Sequence, residues 1–276
     1  MSRVLIVCWL LFNASYTFAD VETKQTEGTG KKGACFSRQN DQWSYKISQL
    51  KANWYYSWGR ELREERPKNV EFVPMFWGKW FKDGDIEYLL NLKNQNQIKF
   101  VLGFNEPDSP NQSNMSVDEA IALWPKLEAI GLPLGSPATV NPENKWMINF
   151  MQKADDLGLR VDFICVHHYG GKNVQGLLYK LHRVHQRYNR PIWITEFAVA
   201  DWNAKSTGQN RHSVEDVLKF MEGILPALES LEYVARYAWF SASSTSKPLG
   251  SATLFDENNC LTALGHRYAS FQPTKK

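Results

Sequence analysis

The 276-residue chain is 43% hydrophobic and 22% charged with a formal net charge of +3, a globular composition long enough for one large core or two small ones. Basic residues come in pairs such as Lys31-Lys32 and Lys275-Lys276, never in runs, which argues against nucleic acid as a partner. The unusual counts are 11 Trp and 11 Tyr, because aromatic faces in excess of core needs are how carbohydrate clefts stack on sugar rings.

The chain opens with Arg3, an apolar run over 4–12 and the small-residue site Thr17-Phe18-Ala19, the pattern of a signal peptide cleaved after Ala19. That run is too short to span a bilayer, and no other stretch reaches the roughly 20 apolar residues required. The expectation is a secreted protein with no membrane partner: a signal over 1–19, a flexible lead over 20–32 and one domain over 33–276. Removing the signal leaves Cys35, Cys165 and Cys260, an odd number with room for one bridge. Cys165 lies in an apolar run and reads as a buried thiol, whereas Cys35 and Cys260 could pair if the chain ends meet. Asn111-Gln112-Ser113 and Asn114-Met115-Ser116 are glycosylation acceptor patterns.

Strand-like and helix-like stretches then alternate. A strand at 34–37 and a helix at 42–50 precede NWYYSWG (53–59) and VEFVPMFWG (70–78), which read as strands with little helix between them. Residues 85–94 show helical apolar spacing, and KFVLGFNEPD (99–108) is an apolar strand breaking into a loop. Ser116-Val117-Asp118-Glu119 is a capping box that opens the next helix. Strands at 132–140, 161–169, 192–197 and 234–241 alternate with helices at 145–157, 174–188, 213–231 and 261–270, the 213–231 helix starting on a Ser213/Asp216 cap. Eight such units in about 250 mature residues predict a single-domain α/β protein with the (β/α)8 TIM-barrel fold. A doubly wound open sheet is the competitor, but no Gly-x-Gly-x-x-Gly follows a strand.

In such a barrel the site is built at the C-terminal ends of the strands, and polar and aromatic residues gather there. The strand ends carry Ser57-Trp58, Trp77, Asn105-Glu106, Asn141, His167-His168-Tyr169, Glu196 and Trp239. Glu106 and Glu196 each follow a buried apolar run, on strands that face each other across the ring. Two carboxyls so placed can supply a proton to a glycosidic oxygen and either a nucleophile or an activated water. His167 and Tyr169 share a strand face, and either could bond a carboxylate or a sugar hydroxyl. There is no His-Glu-x-x-His and no Cys-x-x-Cys to make a zinc site, although His167-His168 with a carboxylate leaves that possibility open. A Gly-x-Ser-x-Gly elbow is also lacking.

Taken in order, NWYYSWG, FVPMFWG, LGFNEPD, HHYGG, WITEFA and YAWFSA resemble glycoside hydrolase family 128, secreted endo-β-1,3-glucanases within the retaining (β/α)8 clan. The resemblance runs from about Gly33 to Phe271. It implies Glu106 as general acid/base, Glu196 as nucleophile and Asn105 as holder of the sugar 2-hydroxyl. Tyr169 or His168 would orient Glu196 or bond the sugar, Asn141 would contact it, and Trp58, Trp77, Trp202 and Trp239 would be stacking platforms. β-1,3-Glucan is the implied partner and no cofactor or metal is implied; nothing demands more than a monomer. A barrel glycosidase for another β-linked glucan or mannan shares the glutamates, and a non-catalytic β-glucan-binding protein shares the aromatics.

Overall fold

The computed structural model describes residues 30–272; the expected signal, 1–19, and most of the expected lead lie outside the described residues. Six parallel strands form one sheet: β1 (Lys32–Cys35), β2 (Trp54–Tyr56), β3 (Glu71–Phe72), β4 (Ile164–Gly170), β5 (Ile192–Val199) and β6 (Val234–Phe240). Their order is β3-β2-β1-β6-β5-β4. Two further segments, the expected fourth and fifth strands, fill the gap between β3 and β4. Single parallel bridges join them, Met75 to Leu102, Val101 to Leu134 and Gly135 to Phe163. Backbone hydrogen bonds follow the same path, from Leu102 N–H to Pro74 O (2.9 Å), Gly135 N–H to Val101 O (2.9 Å) and Ser136 N–H to Phe163 O (2.9 Å). The order thus returns on itself, as in an eight-unit barrel.

These two units were expected as regular strands, and the residues explain why they are not. Pro133 and Pro137 have no N–H to give to a ladder. The backbones also crowd: a Cβ on Gly103 would stand 2.8 Å from the Gly135 carbonyl oxygen, so this crossing requires glycine.

Among the described residues seven α-helices surround the sheet: α1 (Trp43–Gln49), α2 (Asp83–Asn94), α3 (Val117–Glu128), α4 (Lys145–Asp156), α5 (Val174–Tyr188), α6 (Val214–Ser230) and α7 (Ala263–Ser270). The capping boxes form as read: Ser116 Oγ accepts from Glu119 N–H (3.1 Å) and Ser213 Oγ from Asp216 N–H (3.1 Å). The strands bury both faces. Outward residues such as Ala34, Tyr55, Ile194 and Trp239 pack under the helices, while Cys35, Trp54, Tyr56, Cys165 and Trp193 fill the barrel interior. This two-sided burial is why the strands read as continuous apolar runs.

Lys31 and Lys32 were assigned to the flexible lead, but they fasten the start of the barrel to its end. Lys32 is 1% exposed, and its ammonium donates to the carbonyls of Tyr268 (2.9 Å) and Phe271 (2.8 Å) at the end of α7. Lys31 donates to Glu229 (2.9 Å) and Leu231 (2.9 Å) at the end of α6. Each lysine satisfies last-turn carbonyls that have no helical partner. Burial, with the charge of Lys51, brings the Lys32 pKa down to about 8.

The Cys35–Cys260 pairing that the sequence left open does not form: both are free thiols. Cys35 points into the barrel interior, where its Sγ lies 3.6 Å from the Trp239 carbonyl, whereas Cys260 is exposed on the turn after Asp256. Chain-end proximity was correctly anticipated, but the inward direction of Cys35 removes it from reach.

Arg236 on β6 and Glu71 on β3 pair bidentately at 3.0 Å within the barrel, with side chains 5% and 9% exposed. The Arg236 guanidinium also lies 4.3 Å from the Trp193 ring centroid and 4.6 Å from that of Phe100. Removing one partner strands a buried charge. Glu71→Ala is expected to lower unfolding free energy by about 3–5 kcal/mol, read from urea unfolding monitored by tryptophan fluorescence.

Candidate active site

At the C-terminal ends of the strands lies a cleft of about 760 Å³. Glu196 enters it from β5, and only 5% of the residue is exposed. An acceptor so buried needs donors, and three converge on it. Tyr56 O–H (2.8 Å) and Trp58 Nε1–H (2.7 Å) donate to Oε1, and Tyr169 O–H donates to Oε2. Burial raises both tyrosine pKa values far above the ordinary range, and the adjacent Glu196 charge adds to the effect, so both phenols remain protonated donors.

Glu106 stands opposite. Its Oε1 lies 2.9 Å from His167 Nδ1, and its side chain is 14% exposed to the cleft. Its Oε2 has no hydrogen-bond partner among the described residues. The backbone at Glu106 has φ 39° and at Trp58 φ 54°, a left-handed conformation costing about 1–3 kcal/mol at a non-glycine residue. Glu106 N–H to Ala138 O (2.7 Å) and Asn105 N–H to Trp77 O (2.9 Å) hold that turn.

His167 joins the two carboxylates. It is aligned with Glu196 across the β4–β5 pair, just after a register shift between Val166 and His167. Such irregularities re-aim side chains beside sites. The ring is fully buried, with Nδ1 toward Glu106 and Nε2 3.4 Å from Glu196 Oε1. Burial is the largest influence on its pKa and pushes it down, but the charges of Glu196, Glu106 and Asp108 and the bond to Glu106 outweigh it, so the pKa is raised.

Glu106, His167 and Glu196 each offer a ligand atom within 4.8 Å of the others. As a metal site this is poor, because the imidazole lies between the carboxylates and turns a different nitrogen to each. Glu196 is also surrounded by O–H and N–H donors suited to an anion.

A family model described as the glycosyl hydrolase catalytic core matches residues 33–268. An endo-β-1,3-glucanase of family 128, subgroup I, from Amycolatopsis mediterranei, solved in complex with laminaritriose, is 33% identical, with a TM-score of 0.74 over 88% of this chain and 99% of that one. The chain belongs to glycoside hydrolase family 128. A subgroup II endo-β-1,3-glucanase from Pseudomonas viridiflava is 28% identical, with a TM-score of 0.71 over 89% of this chain and 99% of that one. Alkali-sensitive linkage protein 1 of Schizosaccharomyces pombe is 31% identical over 244 residues, which are 79% of this chain but 40% of that protein. The chain therefore spans 40% of that relative's length.

Most residues singled out for this hydrolase come together. Trp58, Trp77, Asn105, Asn141, His168, Tyr169 and Trp202 line the cleft with both glutamates. Trp77 stacks on the exposed Trp80 with centroids 5.7 Å apart, and Trp202 Nε1–H donates to the Tyr169 carbonyl (3.1 Å). Trp239 does not belong. It is fully buried, its Nε1–H bonds the Ala252 carbonyl (2.9 Å), and it packs on Phe197 outside the barrel. Side chains alternate along β6, and its neighbour Phe240 is the one that meets the cleft. Of the histidine pair, His167 makes the carboxylate contacts. His168 lines the cleft with its pKa lowered to about 4 by burial and the nearby Lys180 charge, so it is neutral at physiological pH.

Among the polar side chains of the site, Tyr56, Gln112 and Lys180 were not anticipated. Tyr56 carried a signal, the alternation of Trp54, Tyr56 and Trp58 on one strand face. Gln112, whose Oε1 accepts from Asn105 Nδ2–H (3.1 Å), and Lys180, which reaches in from α5, carried none.

Because the folded pKa of His167 is raised, its contribution to stability is complete below the ordinary histidine value of 6.5 and is lost as pH rises through the raised value. The thermal midpoint deficit of His167→Gln is thus expected to be largest in acid and to shrink at alkaline pH. Melting curves for wild type and variant across pH check this.

Proposed function

We propose that this chain is a secreted hydrolase that cleaves internal β-1,3-glucosidic bonds of β-glucan with retention of anomeric configuration. The observation that carries the reading is the carboxylate geometry: oxygens of Glu106 and Glu196 approach within 4.8 Å. Retaining glycosidases hold the two groups about 5 Å apart, and inverting ones leave a wider gap for water. The substrate rests on family 128 relatives crystallised with laminari-oligosaccharides. Secretion rests on the signal pattern over 1–19.

Each residue then has a role that its surroundings suit. Glu196, immobilised by Tyr56, Trp58 and Tyr169, attacks the anomeric carbon and forms a glycosyl-enzyme. Glu106, less enclosed and with one oxygen unpartnered, protonates the departing oxygen and then takes a proton from the water that releases the sugar. Asn105 is 4% exposed with its Oδ1 unpartnered among the described residues, a fit for a sugar 2-hydroxyl donor. Trp58, Trp77 and Trp202 offer aromatic faces along the cleft, and Asn141, His168 and Tyr169 offer polar atoms.

On linear β-1,3-glucan, wild type is expected to release short oligosaccharides that first appear as the β-anomer, followed by NMR. Glu106→Gln lowers kcat by about 100–10,000-fold, and Glu196→Gln yields no glycosyl-enzyme by mass spectrometry. First-formed α-anomer would overturn retention, and tight oligosaccharide binding without turnover would make the protein a sugar-binding one. Removing one bond to the charged nucleophile in Tyr169→Phe should lower kcat by about 10–100-fold, measured at saturating oligosaccharide.

A further inference from the structure

The cleft that holds Glu106 and Glu196 is lined by one lysine, Lys180, which takes no part in the two-carboxylate chemistry. Lys180 belongs to α5, whose inward stripe is Leu177, Leu181, Val184 and Tyr188. It flanks that stripe, a position where a lysine packs its stem on apolar neighbours and carries its charge to an edge. Helical side chains lean toward the N-terminus of their helix. The N-terminus of α5 follows the C-terminal end of β4, so the lean carries Lys180 toward the mouth of the barrel.

The half-buried ammonium arrives there short of partners. Among the described residues its one hydrogen bond is to the His167 carbonyl at 3.4 Å, long for such a donor. Glu143, just before α4, is the acidic group whose charge reaches it, but Glu143 is engaged by Arg183, one turn further along α5. Burial lowers the Lys180 pKa, against the charge of Glu143 and with that of Arg183. An ammonium has three N–H groups, so two are left for whatever fills the cleft.

The neighbours define that group's chemistry. His168 lines the same cleft and is neutral, its pKa lowered to about 4 by burial and by the Lys180 charge. A neutral imidazole offers a lone pair, and an ammonium offers only N–H. A hydroxyl can give a proton to the first and accept one from the second. An anion would also answer the ammonium, but it would enter a cleft that already holds two glutamates, and no second cation lines it among the described residues. A free cation would meet the Lys180 charge.

We infer that Lys180 is a substrate-binding residue, donating from α5 to a hydroxyl of the glucan chain held in the cleft. The inference rests on the β-1,3-glucanase reading and deepens it. A contact made to the chain, away from the reacting bond, is present in the bound substrate and in the transition state alike, so it acts on binding and not on the chemical step.

The test is hydrolysis of laminarihexaose by the full chain, comparing wild type with Lys180→Met and Lys180→Gln. Lys180→Met is expected to raise KM about tenfold or more at unchanged kcat, and Lys180→Gln, which keeps an N–H donor, to fall in between. In a Glu196→Gln background, calorimetric titration with the same oligosaccharide should show the same loss of affinity. An unchanged KM would overturn the inference. So would a lower kcat with a shifted pH profile and unchanged KM, the signature of a lysine that only steadies His167 through its carbonyl. Should Lys180→Met fail to fold by thermal melting, the Lys180→Gln titration decides: affinity equal to wild type overturns the assignment. Binding without cleavage by wild type would overturn the hydrolase reading, while the titrations still read Lys180; no binding at all would overturn both. Inorganic phosphate that displaces the sugar from the Glu196→Gln chain, but not once Lys180→Met is added, would overturn the hydroxyl as the partner.

Discussion

The rest of the site depends on how a carboxylate, Glu196, is kept deep in the mouth of a barrel. A buried acceptor of this kind is tolerated only when donors replace the water it has lost. Tyr56 and Trp58 come from β2 and its end, Tyr169 from β4, and their hydroxyl and indole groups do this from two sides. Each donor is aromatic, so the groups that satisfy the charge also pack as apolar bodies in the barrel mouth: Tyr56 against Trp58, and Trp58 and Tyr169 against Phe240. The nucleophile candidate is therefore fixed by the same side chains that close the barrel.

The opposite carboxylate is held differently, and that difference suits the two roles proposed for them. Glu106 rests on a strained backbone turn, and among the described residues its side chain accepts one hydrogen bond, from His167. Strain of this kind persists only where neighbours over-determine it, and here Ala138 and Trp77 carbonyls do so. His167 makes the pair a unit, because any proton it holds sits between two negative groups. At the other end of the barrel, Arg236 and Glu71 form a second charged pair among Trp193, Phe100 and Trp54. The interior thus has a structural ion pair below and the Glu106–His167–Glu196 group above, separated by aromatic and thiol side chains.

Helices were legible because their signals are local. The 174–188 helix agrees at both ends with α5, and both capping boxes formed, since they depend on residues three apart. The expected fourth and fifth strands were harder, because Pro133 and Pro137 remove ladder donors in a stretch whose composition still reads as β. Trp239 was misplaced for a related reason. Its position at a strand end was visible, but an apolar run buried on both faces does not show which side each residue takes. Lys31 and Lys32 read as part of a flexible lead because the carbonyls they bond belong to residues about 200 positions away.

By itself the sequence determined the alternation of strands and helices, the two glutamates that end apolar runs, and the aromatic excess that points to a sugar cleft. These are properties of neighbouring residues, and spacing and side-chain type express them directly. Only the tertiary structure decided that His167 and not His168 bridges the carboxylates, that Tyr56 is a donor, and that Cys35 stays a thiol. Each of these turns on where a side chain points and what remote segment it meets. A ring of parallel strands sets those contacts through register and closure, which no local stretch contains.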